Sequence, residues 1–120
     1  ADPHARYRMV KERGNQRLVD AHHAYWQDEA AMAEGSPQLA LERGEDLRLP
    51  PALLLQGTND DNLPADSADR FAAAYSKRGG TIHVEKFPGE PHTFVSRDPN
   101  SAASQKALAM IVDFVKRQAK

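Results

Sequence analysis

The chain has 120 residues, 16 Lys and Arg against 17 Asp and Glu, and a formal charge of −1. That is a length for one domain, and nothing in the charge favours nucleic acid or an anionic membrane. With 28% charged and 40% hydrophobic residues and no apolar run near the roughly 20 needed to span a bilayer, it reads as a soluble globular chain. The opening ADPHARYRMV lacks the apolar region of a signal peptide. The absence of cysteine excludes both a disulfide framework and a thiolate nucleophile, so a cytoplasmic setting is expected.

Residues 1–48 read as short, separately capped helices. Asp2 followed by Pro3 is a helix start, an N-cap oxygen before a ring whose φ is already set; the helix carries Tyr7 and Val10 and stops near Gly14. Asn15 caps a second helix with Leu18, Val19, His22 and Tyr25 or Trp26 on one face. Asp28 caps a third through Met32, ending at Gly35, and Ser36-Pro37 opens a fourth that ends near Gly44. The cations of RYRMVKERGNQR, spread around these helices, read as solvated surface.

From residue 49 the pattern changes. Pro50-Pro51 ends the helical part, and ALLLQG, residues 52–57, fits a strand buried on both faces, as in a parallel sheet. A helix is expected over about 64–77, with Ala68, Phe71, Ala72 and Tyr75 on its apolar stripe and Gly79-Gly80 closing it. TIHVEKF, residues 81–87, alternates and reads as a strand nearer the sheet edge. A last helix over about 102–118 is expected to bury a stripe of Ala107, Leu108, Ile111, Val112 and Val115, with Lys116 and Arg117 at its electronegative end.

Strand, helix, strand, helix is a βαβ unit with a covering helix, hence α/β with a parallel sheet. Only one partner for the strand at 52–57 is visible. An unpaired apolar strand is an association hazard, so the chain is expected to be part of a larger sheet completed by another segment or by self-association.

Ligands of open parallel sheets gather at the carboxyl ends of the strands. Two loops lie there: QGTNDDNLP, residues 56–64, with Asp60 and Asp61, and PGEPHTF, residues 88–94, with His92. Asp, Asn, Gly and Pro are also ordinary turn residues, and each loop alone reads as a turn. Taken together they put a carboxylate and an imidazole at neighbouring strand ends. A carboxylate on one ring nitrogen fixes the tautomer and frees the other nitrogen to act as a base.

LPPALLLQGTNDDNLP, residues 49–64, and FPGEPHTF, residues 87–94, resemble the α/β-hydrolases of the esterase/lipase or dienelactone-hydrolase-like kind. The first resembles the family's strand followed by G-x-x-D-x-x-V-P, here Gly57, Asp60, Leu63 and Pro64. The second resembles its histidine loop. The resemblance implies Asp60 as triad acid, His92 as triad base and no cofactor, with Asp61 on a variable position. It also implies that residues 1–48 border the substrate pocket and that 49–120 are the C-terminal βαβα part of the core. The implied activity is serine hydrolysis of a small carboxylic ester. A peptidase of the same fold, or a non-catalytic module that associates through its open sheet edge, are the alternatives.

One element of the resemblance is missing. None of Ser36, Ser67, Ser76, Ser96, Ser101 and Ser104 lies in the G-x-S-x-G elbow, and no oxyanion loop is present. Both are expected upstream of residue 1, and the 120 residues alone are expected to be inactive.

The five histidines make no metal motif. His22 and His23 point about 100° apart on a helix, and His4 and His83 lack a partner at ligand spacing. Tyr25 and Trp26 could line a pocket or simply pack.

Overall fold

A computed structural model describes all 120 residues. Four short helices come first: α1 (Pro3–Glu12), α2 (Gln16–Trp26), α3 (Glu29–Glu34) and α4 (Pro37–Glu42). Each starts where the sequence places a cap. Asp2, Asn15, Asp28 and Ser36 accept from the amides of Ala5, Leu18, Ala31 and Leu39, so one orphan donor of each first turn is satisfied. Tyr7, Val10, Val19 and Met32 bury one core between these helices, with Leu18 and Trp26 packed against it. Trp26 therefore has a packing role, whereas Tyr25 is 79% exposed.

The second half is β1 (Ala52–Gly57), α5 (Ser67–Lys77), β2 (Ile82–Phe87), α6 (Phe94–Arg97) and α7 (Ala102–Gln118). β1 and β2 run parallel, in register from Ala52 opposite Ile82 to Gly57 opposite Phe87. Because strand and crossover helix alternate, the chain leaves both strands at the same end of the sheet. α5 begins at Ser67 rather than 64, after a turn. The short helix α6, unmarked by any periodicity, swings Phe94 onto Phe87, with ring centroids 4.9 Å apart, and Ala107 of α7 completes this second core.

The halves are joined by charge-assisted bonds. Arg70 of α5 donates to Asp2 Oδ2 (3.0 Å) and to Glu42 Oε1 (2.9 Å). Ser36 Oγ donates to the other Asp2 oxygen (3.3 Å), so Asp2 both caps α1 and receives α4 and α5.

The expected buried stripe of α7 is corrected. Ala107 is buried, but Leu108, Ile111, Val112 and Val115 are exposed, Val115 at 57%. The three leucines of β1 are likewise only half-buried. The cause is the same for both: the sheet has two strands, β1 pairs only with β2, and nothing lies beyond its other edge for α7 to cover. The apolar pattern was written for a wider sheet than these residues make.

Candidate active site

The strand register brings the two loops into contact. Beyond Gly57 and Phe87 the ladder continues irregularly: Thr58 N–H donates to Phe87 O (2.9 Å), Asn59 N–H to Glu90 O (3.0 Å) and Gly89 N–H to Thr58 Oγ1 (2.7 Å). Gly89, at φ +75°, turns the second loop back, and Pro91 leads into His92. The two loops thus behave as one laced unit on the sheet's carboxyl edge.

That lacing brings Asp60 and His92 together. His92 Nδ1–H donates to Asp60 Oδ2 at 2.9 Å. The tautomer follows from the acceptor, since an ionised carboxylate offers only lone pairs. The other Asp60 oxygen, Oδ1, accepts Asn62 N–H at 2.9 Å. Both oxygens are therefore engaged. The Asp60 side chain is only 8% exposed, whereas that of His92 is 37% exposed. Asp61, one residue on, turns outward and offers only its backbone carbonyl, which accepts Arg13 Nη1 at 2.7 Å.

With Nδ1–H committed to the carboxylate, His92 Nε2 carries the lone pair. This is the chemistry of a general base with its orienting acid. The pair opens onto a groove of about 510 Å³ lined by Leu54, Leu55, Phe71 and Ile111. The groove runs along the unpaired edge of β1, between α5 on one side and α7 on the other.

The structure also brings to the site two cations whose sequence context places them on the solvated surface. Arg6, half-buried on α1, donates Nε–H to both Asn62 O and Asn62 Oδ1 (3.0 Å each), and Nη2 donates to the same Oδ1. Arg13 holds Asp61 as above. Two cations read as solvated therefore anchor the acid loop, across 56 and 48 positions of sequence. No local pattern marks such a contact; the nearest signal is Arg6 lying one position before the buried Tyr7.

The remaining histidines have other partners. His4 Nε2 sits 3.1 Å from Glu29, 25 positions away, and His83 Nε2 sits 3.4 Å from Glu85, its i+2 neighbour on the same face of β2, so both histidines have an acidic partner, contrary to the expectation from spacing. His23 meets Tyr7 Oη at 3.1 Å. No three His, Asp or Glu residues gather as metal ligands. No helix is long and apolar enough to cross a membrane.

A parallel strand–helix–strand–helix unit, with an acid and a histidine in contact at adjacent strand ends, is part of an α/β-hydrolase domain. Residues 9–120 match the prolyl oligopeptidase family, and the chain belongs to it. It is also 30% identical over 92 residues to a probable isoprenylcysteine alpha-carbonyl methylesterase of Arabidopsis thaliana. That match covers 72% of this chain and 19% of the plant protein, so the chain spans about a fifth of that relative's length. No solved structure matches. The family defines a hydrolase of the serine type.

Proposed function

We propose that these residues supply the acid and base of a Ser-His-Asp hydrolase that cleaves small carboxylic esters, with Asp60 as the acid and His92 as the base. The observation that carries this reading is the 2.9 Å contact between His92 Nδ1 and the nearly buried Asp60, at the carboxyl ends of two paired parallel strands. A serine from outside residues 1–120 attacks the carbonyl while His92 Nε2 takes its proton. The same nitrogen returns the proton to the departing alkoxide, leaving an acyl-enzyme that water then opens. The missing parts of the domain add a strand along the free edge of β1, and that strand covers the exposed face of α7. The 120 residues alone are inactive, and no cofactor takes part.

An ester is favoured over a peptide by the methylesterase relative. The family's name favours the peptidase reading. The two are separated by assaying the native gene product on p-nitrophenyl acetate and on a prolyl p-nitroanilide. Asp60→Asn and His92→Ala should each reduce ester hydrolysis by orders of magnitude, as losses of triad members do. Near-normal rates in either variant would remove the assignment, and turnover of the anilide alone would replace the ester.

A further inference from the structure

We propose that Arg6 is a positioning residue for the acid, holding Asp60 in place through Asn62; this rests on the triad reading above. Asn62 is the link. Its amide N–H donates to Asp60 Oδ1 (2.9 Å), leaving Oδ2 for His92 (2.9 Å). Its backbone and side-chain oxygens are both gripped by the Arg6 guanidinium. The orientation of the Asn62 amide follows from the chemistry: Arg6 has donors only, so the oxygen must face it.

The guanidinium is itself fixed. His22, buried on α2, donates Nδ1–H to Leu18 O (2.7 Å), which makes Nε2 the acceptor, and Arg6 Nη1 sits 3.3 Å from it. Arg6 therefore has its fork divided between a buried imidazole on one side and the acid loop on the other. The Tyr7 ring packs against both His22 and His23, with centroids 5.9 and 5.2 Å away, and holds α1 to α2 at this point. The chain of contacts runs His22, Arg6, Asn62, Asp60, His92.

This arrangement meets a specific need. Asp60 lies in a seven-residue loop of turn formers, 58–64, between β1 and the start of the next turn, and its own amide makes only a long bond of 3.4 Å to Gly57 O. Asn59 N–H is tied to Glu90 O and Asp61 O to Arg13, but the residue whose amide sets the Asp60 carboxylate is Asn62, and Arg6 is what holds Asn62. The planar, pre-organised fork of arginine does that at two oxygens of one residue, a geometry lysine cannot reproduce. The helical segment 1–48 thus has a role at the site besides bordering a pocket: it sets the acid.

The test uses the native gene product and ester hydrolysis. Arg6→Ala should lower kcat on the order of 10- to 100-fold, the range expected when a supporting contact is lost and a reacting group shifts by an ångström, with KM within about twofold. Arg6→Lys, which keeps the charge and loses the fork, should fall between the two. The decisive measurement is a double-mutant cycle. In an Asp60→Asn background, Arg6→Ala should cost less than about twofold, because the group it positions no longer functions. An equal loss of rate in both backgrounds, or a loss matched by lost helical circular dichroism, means that Arg6 only supports the fold and overturns the proposal. Asp60→Asn with full activity would instead overturn the triad reading. Asp60→Asn inactive beside a wild-type-like Arg6→Ala would overturn the positioning role alone.

Discussion

Gly57 and Glu90 approach so closely that a Cβ on residue 57 would lie 2.1 Å from the Glu90 carbonyl oxygen and 2.7 Å from its carbon. Gly57 ends β1 and Glu90 lies two residues before His92, so this contact sets the spacing of the acid and histidine loops. Backbone atoms cannot rotate out of the way as a flexible side chain can. Gly57→Ala should therefore destabilise the domain by about 1–3 kcal/mol, as overpacking does, and open the Asp60–His92 pair. Urea unfolding reads the first effect and loss of hydrolysis the second; an unchanged midpoint would mean the loops are free to part.

Thr93 follows the histidine in the left-handed region, at φ 60°. A β-branched residue is costly there, roughly 1–2 kcal/mol, and glycine avoids that cost while giving back about 0.5–1 kcal/mol of chain entropy. Thr93→Gly should thus raise stability by up to about 1 kcal/mol, seen as a higher melting temperature. A lower one would show that the Thr93 Oγ1 bond to His92 O (2.6 Å) outweighs the strain.

The open face of α7 makes opposite predictions in two contexts. In the 120-residue chain, Ile111 and Val115 are 40% and 57% exposed within an apolar patch, the kind of surface that binds dye or another copy of the chain. Ile111→Glu with Val115→Glu should reduce ANS fluorescence and light scattering of that chain. In the native gene product, where the proposed additional strand would cover this face, the same pair should destabilise by several kcal/mol, because charges would be buried unpaired. Equal tolerance in both would mean that nothing covers the face.

Glu42 links helix α4 to α5. Gln38 donates to its Oε1 (2.8 Å) and Arg70 does so too (2.9 Å), and together they hold its carboxyl below the ordinary 4.5. A carboxyl whose value is lower when folded adds stability that is complete above about 4.5 and disappears as pH falls through the lowered folded value. Glu42 is largely exposed, so solvent keeps the effect small. The melting temperature of the unsubstituted protein minus that of Glu42→Gln should accordingly shrink between pH 7 and pH 3. A difference independent of pH would place the stabilisation elsewhere.

Much of the fold was legible because its signals are local. Asp2, Asn15, Asp28 and Ser36 cap the helices they announce, since a cap acts within one turn. The strand at 52–57 follows from an apolar run bounded by Pro51 and Gly57, and that at 82–87 from alternation between Gly79-Gly80 and Pro88-Gly89. Asp60 and His92 were legible by likeness to a motif. Helix α6 was not, since four residues hold no period and Phe94 is drawn in by Phe87. The stripe on α7 is apolar as its periodicity indicates yet exposed, because periodicity records which face wants cover, not whether these residues provide it.

The sequence by itself determined the alternation of elements, the family to which they belong, the acid and histidine at neighbouring strand ends, and the absence of a serine elbow among the 120 residues. Each of these is written in a few adjacent positions. Only the tertiary structure decided that Asp60 and His92 lie within hydrogen-bonding distance, that residue 57 has no room for a side chain beside Glu90, and that Arg6 and Arg13 reach the acid loop. Those outcomes depend on segments 30 to 60 positions apart being brought together, Asp60 to His92 and Gly57 to Glu90 by the pairing of β1 with β2, and Arg6 and Arg13 to the acid loop by the placement of α1, and such contacts leave no periodic trace in the chain.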